Sequence, residues 1–475
     1  MFRIKYILIL LLIIAFSCTQ LNNRTVRPKK HAVTLAEIKK RGVLRVVTDF
    51  NSTSYFIYRG QPMGYQYELL QELADYLDVK LDVRVNNNIK EKFKMLATEQ
   101  VDLIAVNLTV TKDRKKYVDF LEPLSQTKQV LVQRKPEGWK RMSEKSLQDS
   151  MITNHLALAG QTIYVQKGSS YVKRMHNISN DIGDTIYMKE VKTGVEKLVE
   201  KVAKGEIDYT VCDENVALLN QSYYDNLDVS LALSFSQNLA WAVPNGATEL
   251  KLELDEWLIN FKKTKKYAAI YKKYYKNKRS FDRFESEYFS NNGFGNISPY
   301  DKYIKKYSEE AGWDWRLVAS MIYQESRFNP DAKSWAGAFG LMQFMPATGQ
   351  RFGVNAASSV ERQIKAGINY INWLDKRLVS IQDKEERKKF VLASYNVGLG
   401  HILDARKLAE KYGKNPDIWE NNVDQFILLK SESKYFNDPV VKHGYCRGTE
   451  TYNYVSEIYR RYNHYKNLVG VLAMN

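Results

Sequence analysis

From residue 36 to about 275 the apolar positions of this chain change period again and again. Val43-Leu44-Arg45-Val46-Val47 is a compact apolar run that predicts a strand, and Tyr67 to Leu77 carries its apolar residues at helical spacing. Val79 to Val85 alternates as a strand, Ile89 to Ala97 reads as a helix, and Asp102 to Val106 is another short apolar strand. The succession returns through Thr162-Ile163-Tyr164-Val165, a helix from Gly194 to Val202, and Tyr209-Thr210-Val211-Cys212. Strands alternating with helices predict βαβ units and an α/β fold. Two such series predict two lobes with a cleft between them.

Beyond residue 300 one helical pattern carries a chemical signal. Val318, Met321 and Ile322 precede Glu325 at helical spacing, which puts a carboxylate on an apolar face. Asn329-Pro330 is expected to stop that helix just afterwards. Burial and the negative end of the helix dipole both disfavour the ionised form, so both raise the pKa. A general acid working near neutral pH requires that. The plainer alternative is a core-edge glutamate that caps the helix or pairs with Arg327.

Four blocks then occur in order: Glu325-Ser326-Arg327-Phe328-Asn329-Pro330, Gly337 to Thr348, Ala393-Ser394-Tyr395-Asn396-Val397-Gly398, and Glu450-Thr451-Tyr452-Asn453-Tyr454-Val455. Together they resemble the goose-lysozyme-like domain of the soluble-type lytic transglycosylases, over residues 300–470. The resemblance implies a mainly α, lysozyme-like fold with Glu325 as acid and base. It places Ser326, Met342, Gln343, Tyr395, Asn396 and Tyr454 around the substrate. On chemistry alone, Gln343 could hydrogen-bond sugar hydroxyls and the methionines could line a groove floor. Read singly, the second block is a glycine turn before a helix starting near Pro346, and the two tyrosines are core residues. No second carboxylate stands in the blocks except Glu450, expected to be structural, whereas glycosidases ordinarily use two. One suffices if the C6 hydroxyl of N-acetylmuramic acid is the nucleophile, giving a 1,6-anhydro end. The resemblance implies that chemistry.

Upstream, the motifs are Gly64-Tyr65-Gln66-Tyr67-Glu68-Leu69-Leu70, Val101-Asp102-Leu103-Ile104, and Thr109-Val110-Thr111-Lys112-Asp113-Arg114 leading to Val118-Asp119-Phe120. They resemble the family 3 extracellular solute-binding proteins, which implies a two-lobed α/β, periplasmic-binding-protein-like domain. Arg114 would fork onto a ligand carboxylate with help from Thr109 and Ser169, and Asp213 would hold an amino group. Leu121-Glu122-Pro123-Leu124 departs from that family's pattern and leaves the ligand open between a small amino-acid-like molecule and a muropeptide. The solvated-arginine reading of Arg114, within the basic run Lys112 to Lys116, is the alternative. A binding module followed by such an enzyme module resembles the layout of the lytic murein transglycosylase F family.

Arg3 and Lys5 before an apolar run from Tyr6 to Phe16, then Ser17-Cys18, read as a lipoprotein signal with Cys18 acylated. Ala15-Phe16-Ser17 also reads as an ordinary signal-peptidase site. The expected organisation is 1–18 signal peptide, 19–35 tether, 36–275 binding domain, 276–299 a Ser/Asn/Gly-containing linker, and 300–475 enzyme domain. The expected place is the periplasm, with a lipid anchor in the outer membrane. After Cys18 only Cys212 and Cys446 remain, one per domain, and a disulfide is not expected. Six histidines without ligand spacing imply no metal, and no cofactor is expected. The net charge of +17 raises a nucleic-acid reading, but a secreted chain meets anionic peptidoglycan and lipid head groups instead. The predicted function is therefore a peptidoglycan lytic transglycosylase modulated or targeted by its binding domain. Its rivals are a hydrolytic muramidase on the same fold and a ligand sensor with an inactive enzyme domain.

Overall fold

In the computed structural model, residues 33–276 and 296–472 are described. The expected signal peptide, Cys18 and most of the expected linker lie outside the described residues. The first lobe starts with β1 (Val43–Thr48), the hairpin β2 (Phe56–Tyr58) and β3 (Gln61–Met63), α1 (Tyr65–Leu77), β4 (Lys80–Val85), α2 (Ile89–Ala97) and β5 (Leu103–Thr109). β1 pairs in parallel with both β4 and β5, the βαβ arrangement that the alternating pattern predicts. Asp102 of the second binding-domain motif is buried beneath Arg41 and Arg45, at 2.5 and 2.8 Å, so its role is to tie β5 to β1.

After β6 (Val118–Phe120) and β7 (Ser125–Thr127) the chain crosses into the second lobe. There it forms β8 (Gln129–Arg134), β9 (Thr162–Gln166), α3 (Ser170–Ile182), β10 (Tyr187–Val191), α4 (Val195–Lys204), β11 (Tyr209–Asp213) and β12 (Leu227–Asp228). β13 (Gln237–Pro244) crosses back, followed by α5 (Thr248–Phe261) and α6 (Lys265–Tyr275). The strand orders are β4-β1-β5-β13-β6 and β10-β9-β11-β8-β12. β8 and β13, the strands just beyond the two crossings, are antiparallel members of otherwise parallel arrays.

The remainder is helical: α7 (Asp301–Glu310), α8 (Trp315–Ser326), α9 (Pro346–Arg351), α10 (Val360–Asp375), α11 (Lys384–Val397), α12 (Leu399–Lys411) and α13 (Gly448–Leu472). Asp314, Ser359 and Asp383 cap α8, α10 and α11 by accepting from backbone N–H groups of the first turn. α13 packs along α8 and α11, so the longest helix is the spine of this half.

The buried core does not divide where the described elements pause between Tyr275 and Asp301. One continuous apolar cluster runs from lobe 1 through the helical half, whereas lobe 2 holds two clusters of its own. The seam is built by α13 and the β2–β3 hairpin. Tyr465 donates to the carbonyl of Gly60 at 2.6 Å, and the Tyr55 hydroxyl meets His464 Nδ1 at 3.0 Å. Asn467 also bonds the carbonyl of Val83 on β4. Gly60 has φ +77°, and a Cβ there would lie within 2.7 Å of Tyr323, Phe328 and Tyr465. Tyr55 and Tyr465 are fully buried, and each such side chain contributes about 1.5–3 kcal/mol by leaving water.

Candidate active site and ligand cleft

Glu325 is the penultimate residue of α8. The helix stops earlier than Asn329-Pro330 because Arg327 and Phe328 take left-handed conformations, φ 51° and 63°. Two consecutive non-glycine residues there cost on the order of 1–3 kcal/mol each. Phe328 offsets part of that by burying its ring against Tyr323, centroids 5.8 Å apart. The chain thus turns away immediately after Glu325 and leaves its carboxyl at the helix end.

The carboxyl is half-buried and accepts a hydrogen bond from the hydroxyl of Tyr454 on α13, at 2.5 Å. Burial pushes its pKa up to about 7, against the opposing pull of the Tyr454 hydrogen bond. Arg327 is exposed and forms no ion pair with it among the described residues, which removes the capping-or-pairing alternative. Among the described residues no second carboxylate perturbs it. Glu361 is occupied elsewhere, accepting from Tyr307 at 2.7 Å. Tyr395 stands close enough that the carboxylate helps raise its pKa, and it donates to the carbonyl of Met342 at 2.8 Å. Asn396 is exposed beside it, and its Oδ1 accepts from Thr451 at 2.7 Å.

Of the residues that the resemblance places around the substrate, Met342 and Ser326 lie behind the wall of the site, and Gln343 is partly tied into it. Met342 is fully buried, packed where Gly367 leaves room, so it cannot line a groove floor. The Ser326 hydroxyl donates to the carbonyls of Ile322 and Leu341, at 3.2 and 2.9 Å, and so ties α8 to the glycine-rich wall. Gln343, held at φ 47°, spends its amide N–H on Ala332 and Gly340 carbonyls at 3.1 and 2.9 Å. Its oxygen is the part left to face a sugar. The motifs did not single out Tyr370 of α10, whose ring lies 4.8 Å from that of Tyr395. The signal for it was helical spacing with Trp373.

In the cleft, Arg114 Nη1 donates to the carbonyl of Thr109 at 2.9 Å, and Asp213 is near enough to oppose the burial that lowers the arginine's pKa. Burial pushes Asp213 up to about 7, while Tyr171 and Arg114 hold it down. Asp213 Oδ1, Ser169 Oγ and Gln129 Oε1 are buried without a hydrogen-bond partner among the described residues. Buried polar atoms of that kind are costly unless something pairs them. The lobes meet across the cleft. Ser52 donates to Glu196 through N–H and hydroxyl at 3.1 and 2.6 Å, and Lys173 pairs with Asp113 at 2.5 Å. Cys212 and Cys446 are both buried free thiols.

Residues 44–277 match the bacterial extracellular solute-binding proteins, family 3, and residues 302–418 match the transglycosylase SLT domain. The molecule is therefore of the class that joins a solute-binding domain to a transglycosylase domain. It is 33% identical over 429 residues to the membrane-bound lytic murein transglycosylase F of Desulfosudis oleivorans, covering 90% of this chain and 91% of that one. The corresponding protein of Photobacterium profundum is 32% identical over 438 residues, covering 92% and 82%. The chain belongs to the membrane-bound lytic murein transglycosylase F family. A solved ancestral amino-acid-binding protein, a precursor of cyclohexadienyl dehydratase, aligns at 26% identity with 51% of this chain and 99% of its own, TM-score 0.42.

Proposed function

We propose that this protein is a peptidoglycan lytic transglycosylase in which Glu325 serves alone as acid and then base. The observation that carries this is a half-buried carboxyl with a pKa of about 7, hydrogen-bonded by Tyr454 and without a second carboxylate among the described residues to perturb it. Protonated Glu325 gives its proton to the glycosidic oxygen between N-acetylmuramic acid and N-acetylglucosamine, and the C1–O bond breaks. The resulting carboxylate takes the proton of the muramoyl C6 hydroxyl as that oxygen closes onto C1. No water is added, and Glu325 ends protonated as it began. Tyr454 steadies the carboxylate, while Tyr395, Asn396 and the oxygen of Gln343 flank the reacting sugars. Mass spectrometry of digested peptidoglycan tests this beside a Glu325→Gln control. Anhydromuramoyl ends that vanish in the control are expected. Reducing ends, one water heavier, would make it a hydrolytic muramidase, and products retained by the control would remove Glu325 from the role.

The cleft is assigned to a small amino-acid-like ligand or muropeptide. Arg114 and Thr109 meet its carboxylate, and Ser169 and Asp213 meet the carboxylate and amine respectively. Support comes from Ser169 Oγ and Asp213 Oδ1, which are buried without a hydrogen-bond partner among the described residues. Binding there modulates or targets the enzyme half, with which lobe 1 shares its core. Calorimetry with free amino acids and muropeptides, repeated on Arg114→Gln, identifies the ligand; heat unchanged by the substitution would move the site. None of the described helices is long and apolar enough to cross a membrane. Acylated Cys18 would hold the enzyme at the periplasmic face of the outer membrane.

A further inference from the structure

A row of rings leads away from Glu325 along α10 and ends on two arginines. Tyr370 stands 4.8 Å from Tyr395, and Trp373 stands 5.9 Å from Tyr370. Tyr370 and Trp373 fall at i and i+3 on α10, and Arg377 follows just past the helix end, where it folds back onto Trp373. The Arg377 guanidinium carbon lies 3.4 Å from the Trp373 ring centroid, and that of Arg351, at the end of α9, lies 4.4 Å from it. The two cations therefore come from the last residue of α9 and from the turn that follows α10. One indole holds both.

Neither guanidinium has a carboxylate within ion-pair distance among the described residues. Asp375, two residues before Arg377, is already taken by Arg387 at 2.8 Å. Arg377 donates only to the backbone carbonyl of Trp373, at 3.2 Å. Both side chains are exposed at their tips, with their flat faces fixed by the indole. Centroid distances of 3.4 and 4.4 Å leave room for two guanidiniums only on opposite faces of the indole, so each keeps its own N–H edge open, where a carboxylate can meet it. A fork geometry suits a carboxylate.

We propose that Arg351 and Arg377, mounted on Trp373, form a subsite for carboxylates of the peptide stems that hang from muramoyl units beside the cleaved bond. This rests on the reading of Glu325 as the acid, because the subsite is defined by its distance from that group along the ring row. Stem-bearing strands bind with their sugars at Tyr395 and Tyr370 and stem carboxylates on the free N–H edges of the guanidiniums. The pair would make the enzyme favour strands whose peptides are still attached.

The test compares full-length wild type, Arg351→Gln/Arg377→Gln, Arg351→Lys/Arg377→Lys and Glu325→Gln on two substrates. One is uncross-linked glycan with its stems; the other is the same material stripped by an amidase. The glutamine variant is expected to lose about tenfold in kcat/KM on stem-bearing strands, mainly through KM, and nothing on stripped strands. The lysine variant should recover most of that loss, and the loss should shrink at high salt. Equal loss on both substrates, or none on either, overturns the proposal. Loss confined to stripped strands would assign the pair to the lactyl carboxylate that stripping uncovers, and also overturns it. Glu325→Gln should be inactive on both substrates. If it is not, the underlying site is misplaced, which is a different failure from any pattern the arginine variants give.

Discussion

Glu325 keeps its proton at a pH where most carboxyls have lost theirs, and the cause is local. Its end of α8 is desolvated, and the nearest polar partner is a hydroxyl rather than a cation. Activity should therefore fall as pH rises through about 7. Removing the Tyr454 hydroxyl removes a bond to the ionised form, so Tyr454→Phe should move that limb upward and cut kcat roughly 10- to 100-fold; an unmoved limb in a pH–rate profile would detach Tyr454 from the acid. The same shift affects stability. Between 4.5 and about 7 the folded state holds a proton that the unfolded chain has released, so stability is lost as pH rises through that window. At pH 8 Glu325→Gln should accordingly be more stable than the parent, by about 2 kcal/mol in urea unfolding. At this scale the sequence was informative about the acid and poor about its supports. Apolar spacing located Glu325, but nothing in a string of letters tells whether Met342 or Ser326 faces the groove or the back of its wall. That depends on the left-handed turns at Arg327, Phe328 and Gln343, which the residue types there do not announce.

Among the elements, the parallel strands and their helices were legible because period and burial agree. β1, β4, β5, β9 and β11 all sit within a residue or two of their apolar runs, apart from the longer C-terminal end of β5. β8 and β13 are buried on both faces, so neither shows the alternation that would reveal it, and their crossing between lobes is a property of the sheet order. The β2–β3 hairpin is the least conspicuous element and the most exacting. Its Gly60 fits only because it has no side chain, with Tyr323 and Phe328 of the Glu325 segment against it. Gly60→Ala should cost about 2–3 kcal/mol, from the positive φ and the overlap together. The check is a lowered urea midpoint together with reduced activity. A variant with normal stability and normal activity would show that the seam yields more readily than its close packing implies.

For the whole molecule, the Ser, Asn and Gly content of 276–299 marks a linker between two domains, while the apolar cluster joins lobe 1 to the enzyme half. The joining residues are mostly tyrosines and one histidine, which by type read equally well as surface. His464 is buried against Tyr55 and Tyr67, with Arg460 and Arg461 beside it, and it resists protonation down to about 3. Freed from the seam it would take up a proton near 6.5, so the undocked form binds more protons below that pH. Docking is complete above 6.5 and weakens as pH falls, by about 2 kcal/mol at pH 5. Protection along α13, with exchange taken relative to the intrinsic rate at each pH, should fall between pH 7 and 5 in the parent. In His464→Gln it should be flat with pH, and an equal fall there would place the sensitivity in another group.

Lobe 2 stands apart from that arrangement, with its own two clusters, joined to lobe 1 by the crossings into β8 and out to β13 and by polar contacts across the cleft such as Ser52–Glu196 and Lys173–Asp113. In the currency of inheritance, it is the exchangeable segment of this chain. Recombination or drift there alters half of the cleft, including Ser169 and Asp213, without reopening the core that steadies α8. Descendants are free to change what they sense while keeping how they cut.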